Sequence, residues 1–477
     1  MPDNPDKMAS TFEKPLAPKA IMAYCMPIMA VFFLFGPIQS VIPGIYAKYF
    51  GLEMSAIATV VLLSRFFDAI TDPFIGYLSD LSARRGYRKA WVAMGGVMLI
   101  VSAYFLYNPP SQVSFVYFLC WFLAFYLSLT VVDIPHVSMG ATLAPQYQQR
   151  TRLFAYRVAF VKVGTLLFYA LPLLPWMTSR EFTPETLSLS VSLGIVLMVV
   201  QLAFFWRFAP SAPPVQHIKK TSLREAWGSI ALNKPLQIFL ATYLSGGIGL
   251  GMWMGMLFIF LDSYVQLGEH TVTAFLVGAS AGFASLPLWQ AVARYSNKKQ
   301  TWVLSTIAFY LLLPGYLWVL PGSNPIAPVL LTAALYSLYA CKTMLMPSIL
   351  GDIVDYGTLK SGCDRTATYF AIFTFTSKAT MGLGAALGLY VAGLYHFDPS
   401  QDQHTADAVI GLKLAFVGIP LIAGLLSLFF VLKTPITPEL PRCLYSLFYC
   451  WLSIGFCARW VLFCNGACEF FDFIKGY

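Results

Sequence analysis

Charge is scarce in this sequence. Only 11% of its 477 residues are Asp, Glu, Lys or Arg, where a soluble domain carries roughly a quarter. That shortage excludes a globular protein with a surface made for water. Histidine is scarce as well, and the five present do not cluster. No His/Cys set has metal-ligand spacing and no nucleophile stands with a base, so a membrane-embedded enzyme is disfavoured. No glycine-rich phosphate loop is present, which argues against a nucleotide-driven pump. No cofactor is expected. What is abundant is apolar: 58% of the chain is hydrophobic and its mean hydropathy is +0.67.

The apolar residues come in runs such as WVAMGGVMLIVSAYFLY from Trp91 and LKLAFVGIPLIAGLLSLFFVL from Leu412. Each is near the roughly 20 residues that cross a hydrocarbon core as a helix, and far too long for barrel strands. We read an all-α membrane protein with spans near 22–46, 54–79, 89–107, 113–140, 152–174, 187–208, 235–265, 271–294, 301–320, 325–355, 364–395 and 408–433. The polar, Pro-containing residues 1–21 read as a short tail, not as a signal sequence. With that tail inside, the cytoplasmic loops collect Arg84, Arg85, Arg88, Lys89, Arg150, Arg152, Lys219, Lys220, Arg224, Arg294, Lys298, Lys299, Lys360 and Arg365. The opposite loops hold little beyond Lys48 and Arg180. This bias places both termini in the cytoplasm of a cell inner (plasma) membrane. It also explains the net charge of +9, because basic loops face an anionic leaflet and no nucleic-acid partner is needed.

The longest polar interruption, 209–234, divides the chain into an N-terminal six-helix bundle (22–208) and a C-terminal one (235–433). Six plus six around a basic central loop is the layout of a major-facilitator transporter, with substrate near the midplane. Loop 76–89, GYLSDLSARRGYRK, fits the gate pattern of such proteins. Gly76 would allow close helix approach, and Asp80 with Arg84 or Arg85 would pair in one conformation and release in the other. A plain topogenic basic loop is the alternative. The matching stretch of the second half, LPLWQAVARYSNKKQ, lacks the acid.

Ionisable residues inside spans cost a few kcal/mol each, so each is a functional hypothesis. Asp68 and Asp72 in span two are four residues apart and share a face, with Arg65 one turn before them and Thr71 beside them. Asp133 lies in span four, with Thr130 about a turn earlier, and Lys378 lies in span eleven. If spans two and four are neighbours, two carboxylates and two hydroxyls make an oxygen-rich site suited to a hard cation. Simple pairing of buried acids with buried bases is the competing reading.

RFFDAITDP (65–73), VVDIP (131–135), GDIVDYG (351–357) and Lys378, in this order and spacing, resemble the glycoside–pentoside–hexuronide:cation symporters of the major facilitator superfamily. The resemblance runs from about residue 22 to 433. It implies a Na+ site at Asp68, Asp72, Thr71 and Thr130, and substrate-facing roles for Asp133 and Arg157. It also implies that Lys378 balances the acids and links cation occupancy to substrate. The implied activity is symport of a sugar- or glycoside-type solute with Na+ or H+ by alternating access, in a monomer. Departures stand at Val31, Phe32 and Val137, where the family's sugar contacts carry charge or a Trp. Gln39, Trp253, Tyr369, Phe373 and Thr374 are available as replacement contacts. The apolar departures also leave open a Na+-dependent lysophospholipid or other amphiphile transporter on the same scaffold. Asp352 and Asp355 of GDIVDYG are expected to gate by pairing with Arg150, Arg152 or Arg365.

Cys25, Cys120, Cys341 and Cys363 read as small apolar residues. Cys443, Cys450, Cys457, Cys464 and Cys468 share one helical stripe in the tail 434–477. That tail reads equally as a thirteenth span, a membrane-lying helix or a segment foreign to the family. His136 is expected to pack, not to line the cavity.

Overall fold

The computed structural model describes residues 17–434 apart from 39, 84–86, 145–146, 211–232 and 362–365, with the backbone alone at 80, 83, 147–148, 151, 355, 358–361 and 366–368. Expectations for the first tail, the central loop and the Cys-rich end fall largely outside these residues. Among the described residues, twelve helices are long and apolar enough to cross a membrane. They are α1 Pro18–Ile38, α2 Met54–Ser79, α3 Arg88–Tyr107, α4 Phe115–Leu143, α5 Arg152–Leu173 and α6 Pro184–Phe208, followed by α7 Lys234–Tyr264, α8 Glu269–Tyr295, α9 Lys298–Trp318, α10 Ile326–Val354, α11 Tyr369–Leu394 and α12 Ala406–Lys433. Helices satisfy every backbone group internally, which lipid demands. Side chains at the entries satisfy freed amides: Ser114, Thr183, Asn233, Asn297 and Thr405 each accept from a backbone N–H three residues on.

The first expected span, 22–46, is two elements. α1 tightens into a 3-10 turn at Gly36–Ile38, and a separate short helix, Ile42–Phe50, follows. Pro37 and Pro43 explain the break, since neither offers an N–H to continue a ladder. α8 is likewise stepped at Ser285, before Pro287. A π-turn at Ile259–Tyr264 closes α7, and one at Leu414–Gly418 interrupts α12.

The packing repeats with a period of six helices. In the first half α1 packs on α5 and α6, α4 on α2 and α3, and α3 on α6. In the second, α7 packs on α11 and α12, α10 on α8 and α9, and α9 on α12. The two six-helix bundles are the expected major-facilitator architecture. Close approaches rest on glycine: a Cβ on Gly95 would stand 2.7 Å from the Val132 amide nitrogen, and one on Gly164 would strike the Met29 carbonyl. The halves join along two mated pairs, α2 with α11 and α5 with α8.

Candidate functional site

Asp72 is the point where the halves share a charge. Thr130 Oγ1 of α4 donates to its Oδ1 at 2.8 Å, and Lys378 Nζ of α11 donates to its Oδ2 at 2.7 Å. One turn back, Arg65 lies 3.2 Å from Asp68, stacks over the Tyr126 ring at 4.2 Å and is braced by Ser64. The other oxygen of Asp68, Oδ1, is buried with no hydrogen-bond partner among the described residues. Such an orphaned acceptor is costly, and it fits a cation bound between Asp68 and Asp72. Thr71 turns its hydroxyl hydrogen to the Phe67 carbonyl at 3.0 Å, which leaves its oxygen lone pairs free to accept.

A second node lies on α4 and α5. Arg157 donates to Asp133 Oδ1, and its Nε faces His136 Nδ1 at 3.5 Å. His136 is fully buried, stacked on Tyr24 at 4.0 Å, with Nε2 2.8 Å from the Tyr24 carbonyl. The Tyr24 hydroxyl returns a hydrogen bond to the His136 carbonyl at 2.9 Å. His136 therefore packs, as expected, but it also holds Arg157 toward Asp133. Charge balance completes the picture, because Asp68, Asp72 and Asp133 each have a protein cation in contact.

At the end of the bundle opposite the basic loops, the halves are pressed together. Lys48 of the short helix donates to Asp262 in the π-turn of α7 at 2.7 Å. Phe182 packs on Phe258 and Phe275, and Tyr169 packs on Phe275. Arg180 and Glu269 stand 4.0 Å apart on the surface. The two basic residues that the opposite loops contain are thus the two that reach across to the other half. Asp262 passes in the sequence as the polar edge of span seven, and only its partner reveals it.

Several expectations change. Asp352 pairs with Lys298 at 2.8 Å, inside the C-terminal half, and not with Arg150 or Arg152. Lys298 opens α9 beside the end of α10, so the nearer cation takes the acid. Gly76 makes no close approach, since an added Cβ would be 4.0 Å from Ile134. Trp253 is fully buried against Phe309 and Tyr336, and Phe373 packs on Phe239 and Tyr243. The Tyr369 hydroxyl accepts from Asn233. Trp253 and Phe373 thus contribute to packing where α7 meets α9, α10 and α11. Thr374 is exposed one turn from Lys378. Val31 is buried, and Phe32 and Val137 are half-buried. Gln39, Arg84, Arg85 and Arg365, with the side chains of Asp80 and Asp355, lie outside the described residues. Two mid-span lysines were not singled out in the sequence: Lys162 of α5 and Lys342 of α10. Neither has a carboxylate partner among the described residues.

A model of the family described as MFS/sugar transport protein matches residues 17–438. The chain is 24% identical over 437 residues to the glucuronide carrier protein homolog of Escherichia coli, covering 87% of this chain and 91% of that protein. It is 23% identical to the sodium-dependent lysophosphatidylcholine symporter 1 of Xenopus tropicalis, over 83% of this chain and 84% of that one. Among solved structures, the nucleoside transporter NupG superposes with a TM-score of 0.64 at 13% identity, covering 86% of this chain and 98% of that one.

Proposed function

This chain belongs to the MFS/sugar transport protein family and is a secondary active transporter, not an enzyme; we propose that it couples a cation, Na+ or H+, to symport of a sugar- or glycoside-type solute. One observation carries this reading: Asp72 is held from its own half by Thr130 and from the other half by Lys378, beside an unpartnered oxygen of Asp68.

A cation entering between Asp68 and Asp72 competes with the Lys378 ammonium for Asp72. Binding it weakens the tie between halves and frees Lys378 toward the solute, next to Asp133 and Arg157. By linkage, a solute that prefers the freed lysine raises cation affinity by the same factor. The basic loops put their end of the bundle in the cytoplasm. The Lys48–Asp262 closure then lies outside, and it opens when the cytoplasmic end closes. Asp80, Arg84 and Arg85 belong to that inner closure, and Thr374 and Gln39 to the solute path.

Transport by the full chain in proteoliposomes, under imposed Na+ or H+ gradients and with a panel of sugars and glycosides, tests this. Asp68→Cys and Asp72→Cys are expected to abolish gradient-driven accumulation while folded protein stays in the bilayer. Concentrative uptake by both variants at the wild-type level overturns the cation site.

A second reading, an amphiphile such as a lysophospholipid, is favoured by a specific feature. A gap between the halves is lined by Ile38, Val61, Phe122, Met254 and Leu389, with Arg65 as its charged group. Na+-dependent uptake of lysophosphatidylcholine with no response to sugars would select it.

A further inference from the structure

Lys162 stands at the middle of α5, exposed, with no acid in contact among the described residues. A lysine facing lipid at that depth would be expensive, so its direction matters. Tyr169, seven residues on and therefore on the same helix face, packs on Phe275 of α8 in the other half. Ala155, seven residues earlier, is exposed. The Ala155–Lys162–Tyr169 stripe thus faces the opposing bundle, open at the basic end and buried where the halves close.

The same position exists in the second half. FAYRVAFVK (154–162) in α5 and FAIFTFTSK (370–378) in α11 share Phe-Ala and a lysine at the same offset. α5 and α11 also hold equivalent places, since α5 packs on α1 as α11 does on α7, and α5 meets α8 across the interface as α11 meets α2. Lys162 is therefore the repeat mate of Lys378. Their surroundings differ in one respect. α2 offers Lys378 the carboxylate of Asp72, whereas α8 from His270 to Tyr295 contains no Asp or Glu. Lys342 also lacks an acid, but it points into its own bundle, 5.1 Å over the Tyr243 ring, and is already accommodated there.

We infer that Lys162 is a solute-binding residue that recognises an anionic group, a carboxylate or a phosphate, on the transported molecule. With Asp68, Asp72 and Asp133 already matched by protein cations, the charge that neutralises Lys162 comes from the solute. This rests on the transporter reading above and names the solute's chemistry within it.

The test uses the full chain in proteoliposomes, with wild type, Lys162→Gln and Lys162→Arg. The probes are glucuronate, glucose 6-phosphate, methyl glucoside and lysophosphatidylcholine. Wild type is expected to take up an anionic probe in preference to methyl glucoside. Lys162→Gln is expected to weaken its half-saturation by roughly ten- to a hundredfold, the range for one charge-assisted hydrogen bond, and Lys162→Arg to restore most of it. The two anionic sugars separate carboxylate from phosphate, and the lysophospholipid separates a headgroup from a free solute. Elution as a monodisperse species checks that the variants fold. Uptake of methyl glucoside alone, or equal uptake of an anionic probe by Lys162→Gln, overturns the inference and leaves the transporter reading standing. Uptake of no probe by wild type under any gradient overturns both.

Discussion

In the proposed mechanism, Lys378 is one side chain that reports two events. Its ammonium is bonded to Asp72, yet nearly half of the side chain is open, at 45% exposure, so a competing cation can reach the pair. Lys378→Gln should keep the fold and uncouple solute uptake from the gradient, seen as facilitated exchange without accumulation. Accumulation at the wild-type level would contradict the coupling role. In the proposed mechanism His136 acts through Arg157, as a positioning residue. His136→Phe keeps the stacking on Tyr24 but removes Nδ1, and it should weaken solute half-saturation about tenfold, as for one lost hydrogen bond. The change belongs in half-saturation, with maximal rate nearly unchanged; a His136 that merely packs would leave half-saturation at the wild-type value. The sequence exposed Asp68, Asp72, Asp133 and Lys378 as individual anomalies in greasy helices. Which cation each acid meets was not legible there, because Arg65 and Lys378 are both plausible neighbours of either span-two acid.

At the scale of the helix, glycine positions separate into two kinds. Gly164 lets α5 touch the Met29 carbonyl of α1, and a larger residue there has to push backbone apart. Gly164→Leu should destabilise the N-terminal bundle by about 1–3 kcal/mol, the usual cost of overpacking, measured as an earlier thermal transition in detergent. Gly76→Ala should be tolerated, because its Cβ would only make an ordinary contact with Ile134 at 4.0 Å. The sequence motif suggested the reverse emphasis for Gly76, since a pattern records which residue is present and not what stands opposite it. Periodicity and run length did locate the helices, and Pro37 and Pro43 were the visible signal for the break that divides the first span.

For the whole molecule, the proposed mechanism makes the contacts at the end opposite the basic loops the mark of one of two conformations. Lys48 is partly buried and desolvation pushes its ammonium down, but the charge and hydrogen bond of Asp262 outweigh this and hold it above the ordinary lysine value. A raised group contributes fully below its unfolded value, about 10.4 for lysine, and its contribution is lost as pH rises through the folded value. The Lys48 side of the closure therefore does not titrate between about pH 7 and 9. Asp262→Asn removes the charge and should shift the population toward the outward-open form. A cysteine in place of Ser40, which is buried near Tyr169, reports this: its alkylation should quicken in Asp262→Asn. Its wild-type rate, corrected for thiolate fraction, should stay flat across that pH range. An unchanged rate in Asp262→Asn would remove the ion pair from the closure.

By itself the sequence determined the membrane class, the twelve apolar helices and their two groups of six. Those properties follow from transfer of short apolar segments into lipid, which each segment's own composition sets. Tertiary structure decided the pairings. Asp72 and Lys378 are 306 positions apart and Lys48 and Asp262 are 214 apart, so no local pattern could join them. It also decided that Asp352 binds Lys298, that Gly76 has no close neighbour, and that Lys162 has the station of Lys378 without an acid in contact among the described residues. An ion pair depends on distance in space, and folding across the interface between bundles is what sets that distance.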